Sequence, residues 1–160
     1  MAENGPLTLK SITDGTFSAH GIYGVNPLAD GESYSQLVGG KQIVVSSFKT
    51  GEQTGVLFDV NDTKGKIKLE RIDGYILSPN QKNILLRTQT QSIYRHSTTA
   101  VYYIYNVQNR TIEPLSDGGP QECPLWSNDG NLVAFVREGN LFLVKLLFNN
   151  AEIQITKDGK

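Results

Sequence analysis

Cysteine occurs once, at Cys123, so no internal disulfide can brace this chain. Histidine occurs twice, at His20 and His96, and two distant imidazoles with one thiol give no metal-ligand spacing. Neither sign of charge prevails: 15 Lys and Arg face 16 Asp and Glu, which excludes the basic stripe of a nucleic-acid binder. No apolar run approaches the roughly 18 residues that a membrane span requires. The start, Met1-Ala-Glu-Asn-Gly-Pro6, is polar and lacks the basic-then-apolar order of a signal peptide. No Gly-x-Ser-x-Gly elbow occurs, so no Ser-His-Asp triad has a recognised nucleophile context. No 12-residue window carries a 3.6-residue apolar period, so helix is not the organising element.

What remains is a soluble-type composition, with 38% hydrophobic and 19% charged residues over 160 positions, enough for one domain with a core. Strand signals dominate, and they repeat. Pro124-Leu-Trp-Ser-Asn-Asp-Gly-Asn-Leu-Val-Ala-Phe-Val136 has an earlier counterpart in Gly74-Tyr-Ile-Leu-Ser-Pro-Asn-Gln-Lys-Asn-Ile-Leu-Leu86. A more decayed copy is Asn26-Pro-Leu-Ala-Asp-Gly31 followed by Ser33–Leu37. The turn residues Asp30, Asn80 and Asp129 follow one another at 50 and 49 residues. Short strands behind a polar turn at that period predict β-propeller blades.

The predicted fold is therefore all-β: about three consecutive four-stranded antiparallel blades, a partial propeller arc. Residues 1–24 form a lead-in, and the blades occupy about 25–72, 73–119 and 120–160. In the third repeat the strands are Pro124–Trp126, Leu132–Val136, Leu141–Leu147 and Glu152–Thr156. Arg137–Asn140 and Asn149–Ala151 supply the turns. Leu141–Leu147, nearly continuous in apolar residues, reads as a strand covered on both faces by neighbouring blades. An isolated arc exposes two blade faces, so the chain alone is expected to self-associate or to be loosely ordered at its ends.

The middle repeat is too long. From turn residue to terminal Asp, the outer repeats (30→59 and 129→158) each span 29 residues, whereas the middle one (80→117) spans 37. The excess lies between the second and third strands, in Thr88-Gln-Thr-Gln-Ser-Ile-Tyr-Arg-His-Ser-Thr-Thr99. Insertions in repeats collect in loops, often on the binding face. In an antiparallel meander the second turn shares one end with the links between blades. The long hairpin and the Asp117–Cys123 link must therefore emerge on the same face. The tyrosines of the following strand, Val101-Tyr-Tyr-Ile-Tyr-Asn-Val107, read as packing between blades.

At this hairpin the chain resembles the dipeptidyl peptidase IV family of serine exopeptidases, bacterial members most closely. Thr16–Val25, Phe48–Glu52, Val56–Asp59, Tyr94-Arg-His-Ser97, Leu115–Gln121 and Phe142–Lys145 carry the resemblance, through their order and spacing. It implies an eight-bladed propeller capping an α/β-hydrolase domain of the same parent chain, with peptide N-termini as substrate. It also implies that Arg95, supported by Tyr94, His96 and Ser97, binds the carbonyl oxygen of the substrate's second residue. A guanidinium suits that task, being always charged and offering several fixed donors. The family's amine-binding glutamate pair is expected beyond Lys160, and Glu122 and Glu138 are isolated carboxylates that do not supply it. The resemblance further implies release of N-terminal X-Pro or X-Ala dipeptides, a periplasmic or cell-surface parent, and homo-oligomerisation as an open option. His96 is read as bracing the loop and His20 as part of the N-terminal connection.

On this reading the chain contributes a substrate-orienting Arg95 but no catalytic residue, metal or cofactor, and is inactive alone. Asp30-Gly31 and Asp129-Gly130 head turns and lack the further ligands of a calcium loop. The sequons at Asn61 and Asn109 are formal. Two alternatives stand: a non-enzymatic WD40-like or TolB-like binding propeller, which needs no expanded Arg-His-Ser hairpin, and the propeller of another prolyl oligopeptidase relative.

Overall fold

The computed structural model describes residues 7–18, 21 and 23–159. The chain forms three four-stranded antiparallel sheets, each with its strands in sequence order. Strands β1 (Asn26–Pro27), β2 (Ser33–Val38), β3 (Gln42–Ser47) and β4 (Gln53–Asp59) make the first. The second holds β5 (Gly74–Leu77), β6 (Asn83–Tyr94), β7 (Ser97–Asn106) and β8 (Thr111–Pro114). The third holds β9 (Glu122–Trp126), β10 (Leu132–Arg137), β11 (Asn140–Lys145) and β12 (Ala151–Gln154). These are the blades of a propeller arc. The lead-in holds one helical turn, α1 (Leu9–Thr13), closed by a Thr8–Ser11 capping box.

The repeated turn forms for a local reason. Asp30 Oδ1 accepts the backbone N–H groups of Glu32 at 3.0 Å and Ser33 at 2.9 Å. Asn80 Oδ1 accepts that of Lys82 at 3.0 Å, and Asp129 Oδ1 that of Asn131 at 3.1 Å. These Asx turns reverse the chain between the first and second strands of each blade. The residue after each is left-handed: Gly31 at φ 70°, Gln81 at φ 56° and Gly130 at φ 70°.

Positions one repeat apart in sequence become neighbours in space. Asn80 Nδ2 donates to the Asp129 carbonyl at 2.8 Å, and Trp126 Nε1 to the Ile76 carbonyl at 3.3 Å. Tyr75 Oη lies 2.8 Å from Ser35 Oγ and accepts from Asn26 Nδ2 at 2.9 Å.

The core lies between blades. Ile43, Phe58, Val60 and Ile72 meet Ile84, Leu86, Tyr105 and Ile112 at one junction. Leu85, Tyr102, Ile104 and Leu115 meet Val133, Phe135, Phe142 and Val144 at the other. Successive residues of β6 point to opposite junctions, so the middle blade is buried on both faces. Arg137 staples the second junction: it donates to Glu152 at 2.7 Å and to Ser116, and its guanidinium lies 4.0 Å over the Phe142 ring.

The apolar run Leu141–Leu147 is not one strand covered on both faces. It stays extended only to Lys145, then enters a 3-10 turn at Leu146–Phe148. Phe142 and Val144 are buried against the second blade, while Leu141 and Leu143 face outward. Leu125 (69% exposed), Leu141 (37%), Ile153 (40%) and Ile155 (48%) line that outer face. The closing turn is Asn149-Asn150, with both residues left-handed. The strand after it starts at Ala151 rather than Glu152.

The three turns predict one stabilising change. Gln81 holds a left-handed conformation that the other two repeats give to glycine, at a cost of about 1–2 kcal/mol. Gly in turn loses about 0.5–1 kcal/mol of chain entropy. Gln81→Gly is therefore expected to raise stability by roughly 0.5–1 kcal/mol in chemical denaturation. A midpoint at or below that of the unaltered chain contradicts this account of the turn.

Candidate functional site

Each blade delivers its outgoing link to the same end as its β2–β3-type hairpin. The Ile72 N–H donates to the Gly40 carbonyl at 2.7 Å, Gln121 exchanges both backbone bonds with Ala100, and Gly159 N–H donates to Asn140 Oδ1 at 3.0 Å. This is the face on which parity places the middle hairpin. The three hairpins differ greatly in length. In the first blade β2 and β3 are joined across Gly39–Lys41, and in the third β10 and β11 across Glu138–Gly139.

In the middle blade the two strands continue past the sheet. β6 has 12 residues and β7 has 10, against 6 for each counterpart elsewhere. The excess is thus a paired two-stranded arm rather than an irregular loop, and the third strand begins at Ser97 instead of Val101. Gln91 pairs with Thr99, Ser92 with Thr98 and Tyr94 with Ser97. The six steps from Thr88 to Tyr94 carry the tip at most about 20 Å beyond the sheet, at roughly 3.3 Å per residue. Arg95 and His96 form the two-residue turn at the tip.

The predicted site residues therefore stand together. Tyr94 and Ser97 close the ladder, Arg95 and His96 cap it, and all four side chains are exposed. Among the described residues Arg95 and His96 make no ion pair. His20 lies outside the described residues. Glu122 opens β9, and Glu138 sits in the β10–β11 turn at φ 49°. Among the described residues no group of three or more His, Cys, Asp or Glu side chains is arranged to hold a metal ion.

Sequence reasoning missed what holds the arm at its root. A bulge interrupts the ladder between Thr88 and Gln91, with Gln89 left-handed at φ 51°. Asp73, just ahead of β5, brackets this bulge. Its backbone N–H donates to the Arg87 carbonyl at 2.7 Å, and its Oδ2 accepts the Thr90 N–H at 3.0 Å. Arg71 Nε is 3.9 Å from Asp73 Oδ1, and Arg87 Nη2 donates to the Asp73 carbonyl at 3.2 Å. The Arg87 guanidinium lies flat on Gly74, where a Cβ would stand 2.7 Å from Nη2. Opposite, buried Gln121 accepts the Tyr102 N–H through Oε1 at 2.9 Å. Asn26, Tyr75, Arg87 and Tyr102 line a cleft of about 270 Å³ along the inner edge of β5.

The Thr90 N–H bond, aided by Arg71 and Arg87, holds the Asp73 carboxyl below the ordinary carboxylate range. Burial pushes the Tyr102 phenol up, with Arg87 opposing. A depressed folded pKa adds stability that is present above the unfolded value of about 3.9 and lost as pH falls through the folded one. An NMR titration is therefore expected to show the Thr90 amide shift unchanged from neutral pH down to about 4, then moving below it. A midpoint above about 4 contradicts the Asp73–Thr90 bond.

Comparison with known proteins agrees with this fold. The family described as "Dipeptidyl peptidase IV (DPP IV) N-terminal region" matches residues 78–160. The crystal structure of Porphyromonas gingivalis dipeptidyl peptidase 4 superimposes with a TM-score of 0.84 at 36% identity, covering 98% of this chain and 22% of that one. A probable dipeptidyl-aminopeptidase B of Emericella nidulans is 31% identical over 96% of this chain and 18% of its own length. That of Aspergillus niger is 39% identical over 51% of this chain and 9% of its own. The chain thus spans about a fifth of these relatives.

Proposed function

The chain belongs to the dipeptidyl peptidase IV N-terminal region family, and from that premise we propose that Arg95 is a substrate contact of a serine exopeptidase. In this reading the longer protein releases N-terminal X-Pro or X-Ala dipeptides. The Arg95 guanidinium donates to the carbonyl oxygen of the substrate's second residue. Covalent chemistry belongs to an α/β-hydrolase domain elsewhere in the parent, since these 160 residues contain no Gly-x-Ser-x-Gly elbow.

One observation carries the proposal. A charged group with no ionic partner among the described residues stands at the tip of the one lengthened hairpin, on the face where the blade links emerge. An arginine kept only for solubility needs no 12-residue strand beneath it. The guanidinium is always protonated, so its donor capacity does not vary over the working pH range. Placed against a carbonyl in a closed cavity, each charge-assisted bond contributes about 1.5–3 kcal/mol.

The remaining assignments share this premise. Residues 1–24 are the lead-in and 25–160 the propeller portion, divided near 72 and 119. The substrate is a peptide with a free N-terminus, and the parent acts in the periplasm or at the cell surface. In the parent the open blade faces would meet the neighbouring blades of the propeller. No helix among the described residues is long and apolar enough to cross a membrane.

The test is kinetic, in the full-length enzyme, with Gly-Pro-p-nitroanilide as substrate. Arg95→Ala is expected to lower kcat/KM about 10–100-fold, the equivalent of one or two charge-assisted bonds, and Arg95→Lys to recover only part of it. Unchanged kcat/KM in Arg95→Ala would overturn the role. The isolated 160-residue chain is expected to show no turnover, and activity that survived its purification would place catalytic groups within it.

A further inference from the structure

We infer that Asp73 is a positioning residue that sets the direction of the arm and hence the placement of Arg95, a step that rests on the proposed role of Arg95. The bulge is the hinge of the argument. Between the pairs Thr88–Val101 and Gln91–Thr99, two residues on β6, Gln89 and Thr90, face Ala100 alone. Ala100 cannot serve either of them. Its N–H donates to the Gln121 carbonyl at 3.0 Å, and its own carbonyl accepts the Gln121 N–H at 2.8 Å. The Thr90 N–H is left without a cross-strand acceptor, and the Asp73 carboxylate supplies one at 3.0 Å.

That bond decides how the arm leaves the blade. Bulges bend a strand and raise its twist, and they re-aim side chains beside active sites. This one also holds Gln89 at φ 51°, a conformation that persists only where its surroundings enforce it. From Gln89 to Thr98 every residue is exposed, so few contacts beyond the bulge hold the arm's angle. The angle at which the arm leaves the blade is set at the root by two anchors, the Gln121 exchange with Ala100 on β7 and the Asp73 bond to Thr90 on β6, while a second register shift between Ser92 and Tyr94 lies beside the tip. Asp73 is fixed in turn by its N–H bond to the Arg87 carbonyl at 2.7 Å and by Arg71 beside its other carboxylate oxygen. A small rotation at Thr90 is multiplied along the arm before it reaches Arg95. Misplacement by about 1 Å at a reacting centre can cost about 100-fold.

The experiment compares four variants of the full-length enzyme on Gly-Pro-p-nitroanilide: D73A, D73N, R95A and D73A/R95A. Asparagine keeps an acceptor oxygen for Thr90 and alanine does not. D73A is expected to lose about 10-fold or more in kcat/KM while D73N stays near the unaltered enzyme. D73A is further expected to cost nothing more once Arg95 is already alanine. If D73A does not fold, D73E, whose extra methylene displaces the acceptor, replaces it in the same cycle. Full activity in D73A alongside a crippled R95A would overturn the positioning role and leave the Arg95 reading intact. Losses that multiply in the double variant would show Asp73 acting elsewhere, which also overturns it. An R95A enzyme with full activity would remove the Arg95 reading first, and this inference with it.

Discussion

An antiparallel strand reverses the chain, and four strands in sequence order reverse it three times. That parity is the constraint on which the rest of the structure depends. It sends the second turn of every blade to the end where the chain passes to the next blade. The bonds Ile72–Gly40, Gln121–Ala100 and Gly159–Asn140 are its physical trace, one per blade. A lengthened second hairpin has only one face from which to project. The position of Arg95 therefore follows from strand count before any side chain is considered.

Parity needs blades that stay in register, and burial supplies it. The middle blade places Ile84 and Leu86 in one junction and Leu85 in the other, so a slip of one residue would exchange both sets. Polar ties then fix the blades to one another: Asn80 to Asp129, Tyr75 to Ser35 and Asn26, and Arg137 to Ser116. The blade that carries the arm is held through both of its faces. A long projecting hairpin gains from such a base, because few contacts of its own limit its movement.

Much of this was legible in the sequence for a physical reason. An Asx turn needs Asp or Asn at one position and a left-handed residue after it, so the turns recur visibly at Asp30, Asn80 and Asp129. The excess length between Ile84 and Val101 could be counted. What the excess forms could not be read. Gln89–Thr98 is mostly polar and exposed on both faces, so it lacks the alternation by which a half-buried strand is recognised. The bulge at Gln89 and the Asp73–Thr90 bond left no signal, since Asp before Gly74 reads as an ordinary turn. The end of β11 was misjudged because Leu146 and Leu147 extend an apolar run after the backbone has already turned.

In the proposed role, the guanidinium at the end of the strand-built arm meets a substrate carbonyl. The most direct test is a crystal structure of the full-length enzyme with an uncleaved Xaa-Pro peptide analogue in the cavity. The account predicts an Arg95 guanidinium nitrogen about 2.7–3.2 Å from the carbonyl oxygen of the second residue. An occupied cavity with Arg95 directed into solvent, beyond any hydrogen-bonding distance from the peptide, would contradict it.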